Sequence, residues 1–126
     1  MKKALFLMLL AGSTTVIAAP RIGHHGEMIM KCHAPKFFGE KPAGDAKVES
    51  FQEFQFNASE NTDIATLNVW VNNQLVNVTK EKQRSGRYLV TGKLAQPLTE
   101  GKAWVKVASE SDDGCNGLQV WNVYIK

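Results

Sequence analysis

The stretch His24-His25-Gly26-Glu27-Met28-Ile29-Met30-Lys31-Cys32-His33 gathers most of the side chains of this 126-residue chain that can ligate a soft metal. It holds all 3 His, one of the 2 Cys, and the only two of the 4 Met outside residues 1–19. Thioethers suit Cu(I), imidazole serves Cu(I) and Cu(II), and the oxygen-rich sites of Mg and Ca look different. A thioether does not oxidise to a disulfide, so Met with His is a sensible copper-ligand set outside the cytoplasm. In an extended segment His24, Met28 and Met30 share one face and can reach a single ion. The competing assignment makes Met28 to Met30 a first strand whose thioethers fill core gaps, with His24 and His25 in a solvated tail.

A second cluster is Glu110-Ser111-Asp112-Asp113-Gly114, which reads first as a turn before a strand. It has carboxylates for Ca²⁺ but no regular ligand spacing. The cysteines, Cys32 and Cys115, are most simply one disulfide in an exported chain. That bond closes a loop of more than eighty residues, worth about 4 kcal/mol in the chain-entropy account. It would also carry Asp113 to the His33 end of the first cluster. The alternative, a pair of thiolate metal ligands, needs a reducing partner. No catalytic triad, G-x-S-x-G elbow or phosphate-cradling glycine loop is present, so an enzyme is not expected.

Export is read from the N-terminus. Lys2 and Lys3 precede the apolar run Ala4 to Ala11, and Ala18-Ala19 supplies small residues for cleavage. Residues 1–19 therefore read as a bacterial-style signal peptide, too short in its apolar run to span a bilayer. Without Lys2 and Lys3, 15 basic residues become 13 against 12 acidic, and a net charge of +3 becomes +1. The pI near 8.9 then gives no support to nucleic-acid binding. The remaining run of charge, Lys80, Lys82, Arg84 and Arg87, flanks Ser85-Gly86 and reads as a solvated hairpin tip.

The elements that must position these residues read as strands. Short runs rich in Val, Trp, Phe and Tyr are punctuated by Gly, Asn, Asp and Ser. Strands are expected over 48–56, 65–71, 75–78, 88–94, 102–108 and 118–125. Ala65, Leu67, Val69 and Val71 alternate with Thr66, Asn68, Trp70 and Asn72, and Ala103, Val105 and Val107 alternate with Lys102, Trp104 and Lys106. Period two with one polar face marks half-buried antiparallel strands. Asn72-Asn73 is a good hairpin turn. Trp70 and Trp104 fall on the polar faces, where they either pack on each other across neighbouring strands or mark a binding surface. The sequons Asn57-Ala58-Ser59 and Asn77-Val78-Thr79 read as strand-edge polar residues.

The last thirty residues resemble the CopC-type periplasmic copper-resistance proteins, which include the YobA-like members. Pro97-Leu98-Thr99-Glu100-Gly101 matches their Pro-Leu-Thr-x-Gly turn, and Ser111-Asp112-Asp113-Gly114-Cys115 sits where they carry Ser-x-Asp-x-His. Upstream, His33-Ala34, Pro42-Ala43-Gly44 and Phe56-Asn57-Ala58-Ser59-Glu60 match more loosely, so the resemblance spans 33–126. It implies an all-β, immunoglobulin-like Greek-key sandwich of about seven short strands. It also implies a Cu(II) site at His33, Asp113 and position 115. Here position 115 is Cys, His33 is not the mature N-terminus, and Val107 stands where the family has Trp.

Two functions follow. In the first, the chain is an exported periplasmic or secreted copper-binding protein for sequestration or delivery, with no membrane span after signal cleavage. Its ligands are His24, His25, Met28, Met30 and His33, with Asp113 available, the ion is Cu(I) or Cu(II), and the partner is another copper-handling or envelope protein. In the second, Cys32–Cys115 replaces the metal as the clamp between the N-terminal segment and the last loop. The chain is then a disulfide-stapled interaction module that binds no metal. The organisation expected is a signal peptide (1–19), a ligand-rich segment (20–32) and a CopC-like sandwich (33–126).

Overall fold

In a computed structural model, residues 31–126 are described. They form nine strands and no helix: β1 Phe37–Lys41, β2 Lys47–Val48, β3 Phe51–Ala58, β4 Thr62–Val71, β5 Gln74–Val76, β6 Val78–Lys82, β7 Tyr88–Leu98, β8 Gly101–Ser111 and β9 Asn116–Ile125. Two sheets result, one ordered β1-β3-β7-β6 and the other β2-β9-β8-β4-β5. Every pairing is antiparallel except β2 with β9. Among the described residues no helix is long and apolar enough to cross a membrane.

The alternation read from the sequence sets which side chains turn inward. Leu67, Val69 and Val71 of β4 and Ala103, Val105 and Val107 of β8 are buried. They face Phe51, Phe54 and Phe56 of β3 and Val90 of β7, which are also buried. Phe56 meets Trp121 of β9 edge to face at 5.7 Å and Phe37 of β1 at 6.1 Å. Phe51 and Phe54 stack at 5.8 Å. The Phe54 ring lies directly over Gly92, where a Cβ would sit 2.2 Å from ring carbon Cζ.

Three departures from the expected strands have physical causes. Ala65 is exposed although it keeps the apolar phase of Leu67. The β4–β8 register slips between Asp63 and Asn68. There the Thr66 hydroxyl donates to Asp63 O at 2.7 Å and accepts from Glu110 N–H at 2.8 Å. The expected strand 75–78 is divided at Asn77, with β5 pairing in one sheet and β6 in the other. β1 and most of β6 were not expected, because charge and a Gly interrupt their patterns. These additions raise the expected seven or so strands to nine.

The Asn72-Asn73 turn forms as expected, with positive φ at both residues (50° and 69°). The charged hairpin tip forms too: Gln83 N–H donates to Arg87 O at 2.7 Å, and Lys80, Lys82, Arg84 and Arg87 are all exposed. Asn77 lies between strands, but Asn57 sits within β3, which has a strand on either side, and not at a sheet edge.

Candidate functional site

Three segments meet at one end of the sandwich: the arm Cys32–Lys36, the β3–β4 turn Ser59–Asn61, and the β8–β9 turn Asp112–Cys115. Their strands bring them together, because Phe37 pairs with Ala58, Thr62 with Ser111, and Glu110 with Asn116.

The β8–β9 turn is shaped by its own backbone. Ser111 N–H donates to Cys115 O at 2.8 Å, and Gly114 N–H donates to Ser111 O at 2.9 Å. Gly114 has φ +92°, a conformation that favours glycine. The buried Ser111 hydroxyl donates to Asp113 Oδ1 at 2.6 Å and accepts from Cys115 N–H at 3.0 Å. One hydroxyl thereby positions both the carboxylate and the cysteine. The Asp113 pKa lies below its ordinary value, chiefly because the Ser111 hydroxyl stabilises the ionised form. Desolvation opposes this, and the His33 backbone N–H and imidazole assist it.

The arm is fastened by the β3–β4 turn. The Asn61 side-chain amide donates to His33 O at 3.1 Å and to Ala34 O at 3.4 Å, while Asn61 O accepts from Asp112 N–H at 2.8 Å. Lys36 N–H donates to Ser59 Oγ, and Ser59 N–H returns a bond to Lys36 O, both at 2.9 Å. Pro35 is buried against Gly117, where a Cβ would come within 2.6 Å of the Pro35 ring. Asn61 and Ser59 carry this junction, yet sequence reasoning did not single out Asn61. Its signal was the turn-forming run Ser59-Glu60-Asn61, which says nothing about what the turn touches.

The two ends meet at His33 and Asp113. His33 N–H donates to Asp113 Oδ2 at 3.2 Å, and ring Nδ1 lies 3.9 Å from the same oxygen. The His33 side chain is 84% exposed and that of Asp113 50%, so both face solvent. Cys32 and Cys115 are joined as a disulfide with Cα atoms 5.6 Å apart. Of the sequence-derived ligands, the structure thus brings His33 and Asp113 together. His24, His25, Met28 and Met30 lie outside the described residues. Among the described residues no three His, Cys, Asp or Glu stand grouped to hold a metal.

Elsewhere, Trp70 and Trp104 occupy the outer face of the five-stranded sheet. They are not stacked on each other: the Lys106 ammonium lies 4.8 Å from the Trp70 ring centre and 5.8 Å from that of Trp104. Leu75, Leu118, Val120 and Tyr124 are exposed on the same face, with Leu75 opposite Trp70 and Val120 opposite Lys106 in register.

No protein-family model matches the chain, and no curated protein matches it either. Solved structures do. PcoC, a methionine-rich copper resistance protein from Escherichia coli, is 17% identical with a TM-score of 0.55, over 75% of this chain and 100% of that one. CopC from Methylosinus trichosporium OB3b is 15% identical with a TM-score of 0.57, over 75% of this chain and 94% of that one. The GspB Siglec domain is 18% identical with a TM-score of 0.51, over 76% of this chain and 59% of that one. The described residues therefore have the β-sandwich fold of CopC and PcoC, a fold to which the Siglec domain is also similar.

Proposed function

We propose that this chain is an exported copper-binding protein of the bacterial periplasm or exterior, sequestering copper or handing it to a partner protein. His24, His25, Met28, Met30 and His33 are its ligands, with Asp113 beside them. The observation that carries this reading is the junction of His33 with Asp113 on a fold like that of PcoC. This junction sets His33 beside a carboxylate. The disulfide supports the location, since such bonds persist in oxidising compartments. The signal-peptide reading of residues 1–19 supports it too.

The test is titration of the purified oxidised chain with Cu(I) and with Cu(II), beside an H24A/H25A/M28A/M30A variant. The wild type is expected to bind at least tenfold more tightly. Equal binding by the two proteins would sink the reading.

A second reading has its own observation in its favour. The outer sheet face, where Leu75, Leu118, Val120 and Tyr124 are exposed beside the half-buried Trp70 and Trp104, is the kind of apolar patch that marks contact with another protein. With the disulfide as clamp, the chain would then be a non-metal module of the envelope. Copper-independent retention of one envelope protein, abolished by L118K/V120K, is its expected signature.

A further inference from the structure

Cys32 and Cys115 are joined in the same corner of the fold where His33 N–H meets Asp113, although as they stand no three of these residues are grouped to hold a metal. Joined as a disulfide, the two sulfurs are not thiolates, the form that ligates metal. The two ends of this disulfide are also held by bonds that do not pass through sulfur. The arm is held by His33 N–H to Asp113, by Asn61 to the carbonyls of His33 and Ala34, and by the exchange between Lys36 and Ser59. The loop is held by the Ser111 hydroxyl on Asp113 and Cys115 N–H. Cleaving the sulfur–sulfur bond therefore leaves a scaffold that keeps the Cys32 and Cys115 Cα atoms near their 5.6 Å spacing. Two sulfurs sharing an ion at metal–sulfur distances of about 2.3 Å lie at most about 4.6 Å apart, within reach of that spacing.

We propose that reduction of Cys32–Cys115 converts this clamp into a Cu(I) site, with the Cys32 and Cys115 thiolates as ligands and His33 as the third. A dithiol reductant supplies two electrons and two protons. The Sγ–Sγ bond breaks, two thiols form, and the reductant closes its own disulfide. Cu(I) then displaces the two thiol protons to solvent. The soft thiolate pair selects Cu(I) over harder ions. Asp113 Oδ2 lies 3.9 Å from Nδ1 of His33, beyond a hydrogen bond, and the exposed ring has room to turn Nε2 toward the sulfurs. The site shares its ion and His33 with the proposed function but uses none of His24, His25, Met28 or Met30, so the two readings can fail separately.

Cu(I) is titrated under nitrogen, in competition with a chromophoric chelator, into four proteins. These are the oxidised chain, the chain reduced with a phosphine and desalted, the reduced H24A/H25A/M28A/M30A variant, and a C32S/C115S variant. The reduced chain is expected to bind one Cu(I) at least tenfold more tightly than the oxidised chain, with a near-ultraviolet thiolate-to-copper absorption. The tract variant keeps the absorption; C32S/C115S lacks both the gain and the absorption. H33A keeps the absorption but binds several-fold more weakly. Equal affinity of the oxidised and reduced chains overturns the proposal. Loss of the β-sheet circular dichroism on reduction, before copper is added, also overturns it, because the scaffold would not survive. Copper uptake by the reduced chain alone would leave this site standing and defeat the tract reading.

Discussion

At the scale of single residues, Ser111 and Asp113 show how little separates a structural loop from a site. Asp113 is ionised more readily in the folded chain than its ordinary pKa allows, because Ser111 donates to it. A depressed carboxylate contributes stability above its unfolded pKa and loses it as pH falls through the lower folded value. The stability gap between wild type and D113N is therefore expected near neutral pH and absent in strong acid, as read by urea titration at both. An unchanged gap would contradict the assignment. Replacing Ser111 by Ala leaves the Cys115 N–H without its partner in a partly buried turn. The expected cost is about 1–3 kcal/mol, seen as a lower denaturation midpoint. Gly92→Ala drives a methyl into the buried Phe54 ring. Overpacking of that kind costs about 1–3 kcal/mol, measured in the same way. His33, Asp113 and Ser111 were legible in the sequence because they lie in short motifs. Asn61 was not, since its role depends on two segments distant in the chain.

Among the elements, the alternating strands were readable because burial of one sheet face imposes period two. β4, β8 and β9 follow this pattern over most of their length. The slip at Thr66 was hidden, because a side-chain hydroxyl competing for ladder bonds leaves no mark on hydrophobic periodicity. β7 runs on through Pro97 because β6 pairs it only over Tyr88–Gly92, so its far end has a free side that tolerates a missing N–H. The Asn72 turn is the most exposed to test. Its side-chain amide donates to Lys102 O at 3.1 Å and its Oδ1 accepts from Trp104 N–H at 2.8 Å, at φ +50°. Asn72→Ala removes both bonds and places a Cβ residue without a compensating side chain in the left-handed region. A loss of about 1–2 kcal/mol is expected, with faster amide hydrogen exchange at Trp104.

For the whole molecule, the phenylalanines of one sheet and the valines of the other make the core, and the disulfide closes one end of it, from the arm before β1 to the β8–β9 turn. Cys32 and Cys115 are 83 positions apart. Cross-linking a loop of that size restricts the unfolded chain by about 4 kcal/mol. C32S/C115S is expected to remain folded at neutral pH with a stability lower by about that amount, read from its lowered denaturation midpoint. A midpoint unchanged from wild type would show that the disulfide adds nothing to the sandwich.

By itself the sequence determined the fold class, the inward faces of the strands and the pool of ligand types. These follow from local periodicity and residue chemistry, which do not depend on partners far along the chain. The Cys32–Cys115 bond and the approach of Asp113 to His33 were expected from the sequence, but only the tertiary structure decided that the His33 backbone N–H meets the carboxylate and that Asn61 ties the arm to the β8–β9 turn. Lys106 between Trp70 and Trp104 belongs to the same class. Each depends on strands from distant parts of the chain arriving in one register at one end of the sandwich, and that arrival is set by packing the shared core.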